Sequence, residues 1–274
     1  MTSTKADKRY GDLCLMEKPL PGLAEITLNR PEKRNAMSSA LQAELRAALL
    51  DSWDCHVVTI TGNGPAFCAG VDLKEGQERR ERGEGPTRSY ANDPTSWGET
   101  NMYVTRHPAV CVALVNGFAI AGGMSLVHSC DLAIASDKAE FGMTEMGFGT
   151  FPGLVAPLTS KRILDKHMRW MVFTVQRQNA QRAYEMGIVN MVVPHDDLLT
   201  EGRKLAERML NLDPHVVDWA KKCLNHLPSV PWEMAGYFGG LTGQVARQGR
   251  TTGQDSLTNF LTGKPGLGQG QQQR

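Results

Sequence analysis

The sequence predicts an α/β fold with a largely parallel sheet and helices outside it, and three observations carry that reading. Short apolar runs of strand length recur before residue 137. A helix-periodic stretch separates the first two of them, and from about residue 153 the pattern turns helical. Strands that alternate with helices and crossovers build parallel sheets, because a tight hairpin cannot join two parallel strands.

In chain order, residues 23–28 and 57–60 read as strands, and residues 109–114 and 132–136 are apolar enough to be buried on both faces. Between the first two, residues 37–53 carry Leu41, Leu45, Leu49 and Trp53 at i, i+4 spacing, one face of a helix. Residues 76–100 are charged, dotted with Gly and Pro, and without periodicity. That predicts a mobile surface segment, whether lid, binding loop or disordered stretch. Further on, Leu205, Met209 and Leu212 share a helical face, and Pro214 opens the next helix where its missing N–H costs little. The Gly/Gln-rich residues 265–274 read as a disordered tail, and no internal repeat is visible.

Composition narrows the function classes. The 274 residues can bury one large core, or a core and a smaller helical subdomain, and 41% are hydrophobic, as in ordinary globular chains. A net charge of +1 with interleaved signs argues against nucleic acid as the main partner, while leaving room for a local cationic pocket. Residues 1–11 are polar, without a secretory signal, and no run approaches the ~20 apolar residues of a membrane span. The six cysteines are scattered with no C-x-x-C pair. Reduced thiols and a cytoplasmic location are therefore expected. The seven histidines show no ligand spacing and Gly62-x-Gly64 lacks the third glycine of a dinucleotide fingerprint, so neither metal nor NAD is expected.

Two segments look chemical. Ala66-Phe67-Cys68-Ala69-Gly70-Val71-Asp72-Leu73 follows the 57–60 strand. Asn116-Gly117-Phe118-Ala119-Ile120-Ala121-Gly122-Gly123-Met124-Ser125 leaves the 109–114 strand and enters a helix. Small residues at such turns let a ligand approach the backbone, and the unpaired N–H groups of a helix's first turn favour negative charge. Two facing turns would form an oxyanion hole, a device suited to a thioester whose enolate places charge on oxygen. Tight strand–helix packing is the structural alternative for Gly122-Gly123.

With these turns in register, the chain resembles the enoyl-CoA hydratase/isomerase (crotonase) family. The segment from Leu28-Asn29-Arg30-Pro31 through Met37, and Gly187-Ile188-Val189-Asn190 followed by Val193-Pro194, add to the likeness. The resemblance implies a crotonase ββα-superhelix over residues 1–200. It also implies a C-terminal helical region, residues 201–264, for trimerisation, and a homo-oligomer that is a trimer or dimer of trimers. It makes the Ala69 and Gly122 N–H groups the oxyanion donors. Coenzyme A, bound as part of the substrate and not as a prosthetic group, would be held by Lys33, Arg34, Ala36, Ala66, Ala69, Asp72, Leu73 and Gly122, with Phe260 and Lys264 contacting it from the last helix.

Hydratase members use two glutamates. Here Glu145, in Phe141-Gly142-Met143-Thr144-Glu145, matches one, and Ser125 stands at the other, 20 residues earlier and in register. Serine cannot act as a carboxylate base at neutral pH but can orient a water or substrate oxygen. One carboxylate suffices to move a proton between two carbons, so isomerisation of an enoyl thioester fits. A serine–glutamate combination also resembles hydroxycinnamoyl-CoA hydratase-lyases, which add water and cleave a carbon–carbon bond with the help of a tyrosine; Tyr237 lies near the matching stretch. A non-catalytic acyl-CoA-binding homologue and a serine hydrolase using Ser125 with His128 are the alternatives from other classes.

Overall fold

The computed structural model describes residues 11–83 and 96–249. The chain divides into two compact units, the first ending at Ala206 and the second beginning at Glu207.

The first unit opens with β1 (Cys14–Leu20), β2 (Leu23–Leu28), α1 (Ser39–Asp51), β3 (Val57–Gly62), β4 (Ala66–Cys68), α2 (Leu73–Glu81) and α3 (Trp97–Arg106). It continues with β5 (Val110–Val115), β6 (Phe118–Ile120), α4 (Gly122–Ser129), β7 (Leu132–Ser136), β8 (Glu140–Gly142), α5 (Val155–Thr159) and α6 (Asp165–Thr174). After these come β9 (Gln178–Asn179), α7 (Ala180–Glu185), β10 (Met191–Val193) and α8 (Leu198–Met209), the last three residues of which belong to the second unit. One sheet runs β1-β2-β3-β5-β7-β10, parallel apart from the β1–β2 hairpin. The other runs β4-β6-β8-β9, parallel from β4 to β8. Each pair β3/β4, β5/β6 and β7/β8 thus gives its first strand to the large sheet and its second to the small one. That is the ββα spiral the resemblance implies.

The large sheet is buried on both faces. Ile26, Leu28, Ile60 and Ala113 join one core with Leu41, Leu45 and Leu49 of α1, all 0–1% exposed. On the opposite face α8 lies so close that a Cβ on Gly202 would meet Leu114 Cδ1 at 2.6 Å.

Three expectations are corrected. Helix α1 stops at Asp51, where the Ser52 hydroxyl turns back to the Ala48 carbonyl (2.9 Å), leaving Trp53 beyond the helix and 42% exposed. The face of α8 that packs is Leu198, Gly202 and Ala206, not Leu205 and Met209, because the small residues permit the closest approach; Leu212 lies past the helix end. The segment 76–100 begins and ends in helix. Asp72 caps α2, its carboxylate accepting from Lys74 and Glu75 N–H, and Ser96 caps α3 by accepting from Glu99 N–H. Residues 84–95 lie outside the described residues.

In the second unit, α9 (Pro214–His226) starts with Pro214 in its first turn behind an Asp213 cap, as the sequence predicts. Helix α10 (Trp232–Gln248) exposes Trp232, Tyr237 and Leu241. Phe260, Lys264 and the 265–274 tail lie outside the described residues.

Candidate active site

Three groups of interest each follow a strand of the small sheet. Val71 stands three residues beyond β4, Gly122 two beyond β6 and Glu145 three beyond β8. These strands are adjacent and parallel, so the segments leaving their carboxyl ends emerge along one sheet edge, where open α/β sheets bind ligands. All three residues line one cleft of about 380 Å³.

The first turn is held from outside. Asn35 is fully buried, its side chain accepting from Arg30 N–H (2.8 Å) and donating to the Ala66 (2.7 Å) and Asn63 (3.0 Å) carbonyls. Met37 N–H donates to the Gly70 carbonyl, and the Met37 carbonyl accepts from Asp72 N–H, so Met37 bridges Val71 in parallel fashion. In that pattern the N–H of the bridged residue points the other way. Accordingly Val71 N–H has no partner among the described residues, and Val71 lies on the cleft wall. Ala69 differs: its N–H donates to the Arg34 carbonyl at 3.0 Å. Its expected role as an oxyanion donor is therefore corrected, because the proton it would offer is already engaged.

Arg30 makes a 2.6 Å ion pair with Asp72 and donates to the Ala36 carbonyl. Burial pushes the Asp72 carboxyl up, but the Arg30 hydrogen bond and the helix N–H groups outweigh it and hold it below its ordinary value. Asp72 is thus a brace of the turn.

The second turn carries backbone strain. Ala121 sits at φ 51°, ψ −118°, a region L-residues seldom occupy, and turns the chain into α4. Gly122 is the first residue of that helix, and its N–H has no partner among the described residues. The two turns touch: a Cβ on Gly70, itself at φ +91°, would meet Gly122 N at 3.0 Å. A Cβ on Gly123 would meet the Cys68 carbonyl oxygen at 2.0 Å, so tight packing explains Gly123, while Gly122 keeps an outward N–H.

Glu145 begins a short 3-10 turn after β8. Its Oε2 is buried with no hydrogen-bond partner among the described residues, and burial pushes its carboxyl above the ordinary value, only partly offset by a bond from its own N–H. Such an unpaired carboxylate at a cleft wall suits proton transfer.

Ser125 is not on that wall. It is 0% exposed; its hydroxyl donates to the Gly122 carbonyl (2.7 Å) and accepts from Trp97 Nε1 (2.9 Å). Trp97, which sequence reasoning placed in a loop, lines the cleft instead. The signal that could have found it is Ser96-x-x-Glu99, a helix-start pattern. His128 turns away from Ser125 to Thr159 Oγ1 (2.9 Å), and burial, aided by Arg162, drives its pKa down to about 3. A Ser125–His128 nucleophile pair is therefore absent.

Of the other expected coenzyme A contacts, Arg34, Ala69 and Leu73 line the cleft with Gly122. Ala66 is fully buried and absent from the cleft lining, and its carbonyl accepts from Asn35. Lys33 and Ala36 lie outside the cleft wall, Lys33 exposed and Ala36 half-buried. Sequence reasoning missed Arg177, which lines the cleft and lies over one side of Phe118 (5.3 Å) as Arg34 does (5.8 Å).

The family model for enoyl-CoA hydratase/isomerase matches residues 20–237. The chain belongs to the crotonase family. It is 32% identical over 248 residues to the mitochondrial enoyl-CoA hydratase domain-containing protein 3 of Homo sapiens, covering 89% of this chain and 80% of that protein. With the hydroxycinnamoyl-CoA hydratase-lyase of Pseudomonas fluorescens it shares 34% identity over 220 residues, 77% of this chain and 78% of the relative. Among solved structures, that of the human domain-containing protein 3 superposes with a TM-score of 0.82 at 30% identity, over 93% of this chain and 99% of the other. The fold is that of the crotonase enzymes, and among the described residues no helix is long and apolar enough to cross a membrane.

Proposed function

We propose that this acyl-CoA enzyme moves a single proton along an enoyl thioester, with Glu145 as acid/base and the Gly122 and Val71 N–H groups holding the enolate oxygen. The observation that carries the reading is the carboxylate count. Glu145 offers an unpaired, half-buried carboxylate to the cleft, whereas Ser125 is sealed behind Trp97. Glu145 removes a proton from C2 and charge moves onto the thioester oxygen between the two N–H groups. The same carboxyl then returns the proton to C4, so a 3-enoyl chain becomes a 2-enoyl chain with no atom gained or lost. The guanidiniums of Arg34 and Arg177 supply positive charge at the cleft for the phosphates of coenzyme A. Phe260 and Lys264 as further coenzyme A contacts, a trimer or dimer of trimers, and a cytoplasmic location complete the proposal.

A second reading, hydration followed by carbon–carbon cleavage, draws on the hydratase-lyase relative and the shared serine–glutamate pattern. Incubation with 2-enoyl-, 3-enoyl- and hydroxycinnamoyl-CoA in deuterated water separates the two. Deuterium at C2 and C4, lost in Glu145→Gln while coenzyme A still binds, is the expected outcome. Release of an aldehyde would establish the second reading, and normal turnover by Glu145→Gln would remove Glu145 from either.

A further inference from the structure

Trp97 is 3% exposed, yet it lines the cleft together with Gly122. Its Nε1 donates to Ser125 Oγ at 2.9 Å and reaches the Gly122 carbonyl at 3.3 Å. A Cβ on Gly122 would come within 2.8 Å of Nε1, so the indole rests directly on the first turn of α4. The helix that carries Trp97 is also tied to α4 one turn further on. Asn101 Nδ2 donates to the Trp97 carbonyl (2.7 Å), and Asn101 Oδ1 accepts from Ser129 Oγ (2.9 Å), so residues 97 and 101 of α3 engage 125 and 129 of α4 one turn apart.

Hydration of an enoyl thioester places the oxygen of water on C3 and one of its protons on C2. The two-glutamate hydration holds that water between two polar groups, so beside Glu145 it needs a second one at the α4 end of the cleft. Behind the α4 end of this cleft, Ser125 Oγ and the Gly122 carbonyl are both engaged by the indole N–H, and Trp97, not Ser125, lines the cleft there. We infer that Trp97 is the specificity-determining residue of this site, excluding the water of hydration so that a bound enoyl thioester exchanges protons and is not hydrated. This rests on the single-carboxylate reading of Glu145.

The test uses the full chain with crotonyl-CoA and 3-hexenoyl-CoA in 18O-labelled, deuterated water. It reads the ratio of 18O-labelled 3-hydroxyacyl product to deuterium exchanged at C2 and C4. Trp97→Ala should raise the ratio by about tenfold or more, as pocket contacts commonly discriminate, and Trp97→Phe, which keeps an apolar ring but loses the N–H that engages both oxygens, should raise it by less. Trp97→His, which keeps a ring N–H in a smaller volume, should move it in the same direction and serves if the alanine variant does not fold. An unchanged ratio in either smaller, folded variant overturns the inference, as does a parent protein that hydrates crotonyl-CoA faster than it exchanges protons. Failure of the Glu145 reading looks different: the parent binds both thioesters by calorimetry yet exchanges no deuterium, before any Trp97 variant is compared.

Discussion

Replacing Gly70 with alanine probes the pairing of the two proposed backbone donors without replacing any side chain that lines the cleft. Gly70 sits at φ +91°, and an added Cβ would lie 3.0 Å from both Gly122 N and the Ile120 carbonyl oxygen and 3.2 Å from Ala121 Cβ. Two of these three contacts are backbone, so relief requires moving one turn away from the other by a few tenths of an ångström. The strained dihedral alone costs about 1–3 kcal/mol. Donors act on an oxyanion only within a narrow range of distance, and loss of one costs about 2.7–4 kcal/mol, or 10²–10³ in kcat. The expected outcome is a kcat lower by about that factor and a melting temperature lower by several degrees. Coenzyme A affinity should change far less, since Arg34 and Arg177 stay in place. Steady-state kinetics on whichever thioester the parent turns over, with calorimetry for coenzyme A, gives all the quantities needed. An alanine variant with the parent's kcat would refute the assignment of Val71 and Gly122 as paired donors.

Glu145→Gln has a signed effect on stability. Burial raises the Glu145 carboxyl in the folded protein, so its stability contribution is full below the unfolded value of about 4.3 and is lost as pH rises through the raised folded value. The neutral amide removes that loss, so the variant should melt higher than the parent at pH 8 but not at about pH 4, while kcat falls by about 10²–10⁴; thermal melts across pH test the sign. Ser125→Ala removes a hydroxyl with two buried partners and should cost about 1–3 kcal/mol of stability. Its kcat should stay within about tenfold of the parent's, because the group does not reach the cleft; a loss as deep as that of Glu145→Gln would contradict the geometry. Asn35→Ala orphans one N–H and two carbonyls at a residue with φ 54°. It should cost about 3–5 kcal/mol in chemical denaturation and loosen the first turn.

Strands β2, β3, β5 and β7 and helix α1 are legible in the sequence because burial on two faces leaves an apolar run and burial of one stripe leaves i, i+4 spacing, whereas β1 goes unread. Strands β4, β6 and β8 are three residues each, too short for any period, yet they carry the site. Helix α2 has no buried residue and so lacks an apolar stripe; only its Asp72 cap betrays it. Both glycine turns are visible as composition, but which N–H faces the cleft depends on Met37 pairing with Gly70 and Asp72, a contact more than 30 residues away along the chain. The same holds for Ser125. Its identity and register with Glu145 can be read directly, whereas its enclosure by Trp97 arises from the packing of two helices, to which local sequence is blind.

Val71, Gly122 and Glu145 belong to three successive strand pairs, so in the proposed mechanism holding the substrate's oxygen and handling its proton reside in separable modules. The first two turns of the spiral form a fixed electrostatic socket, made of main chain and therefore indifferent to most side-chain substitutions. The third contributes an interchangeable tool. A lineage built this way can trade one proton chemistry for another through changes confined to the stretch after β8 and to its facing wall, without rebuilding the socket that makes any of those chemistries possible.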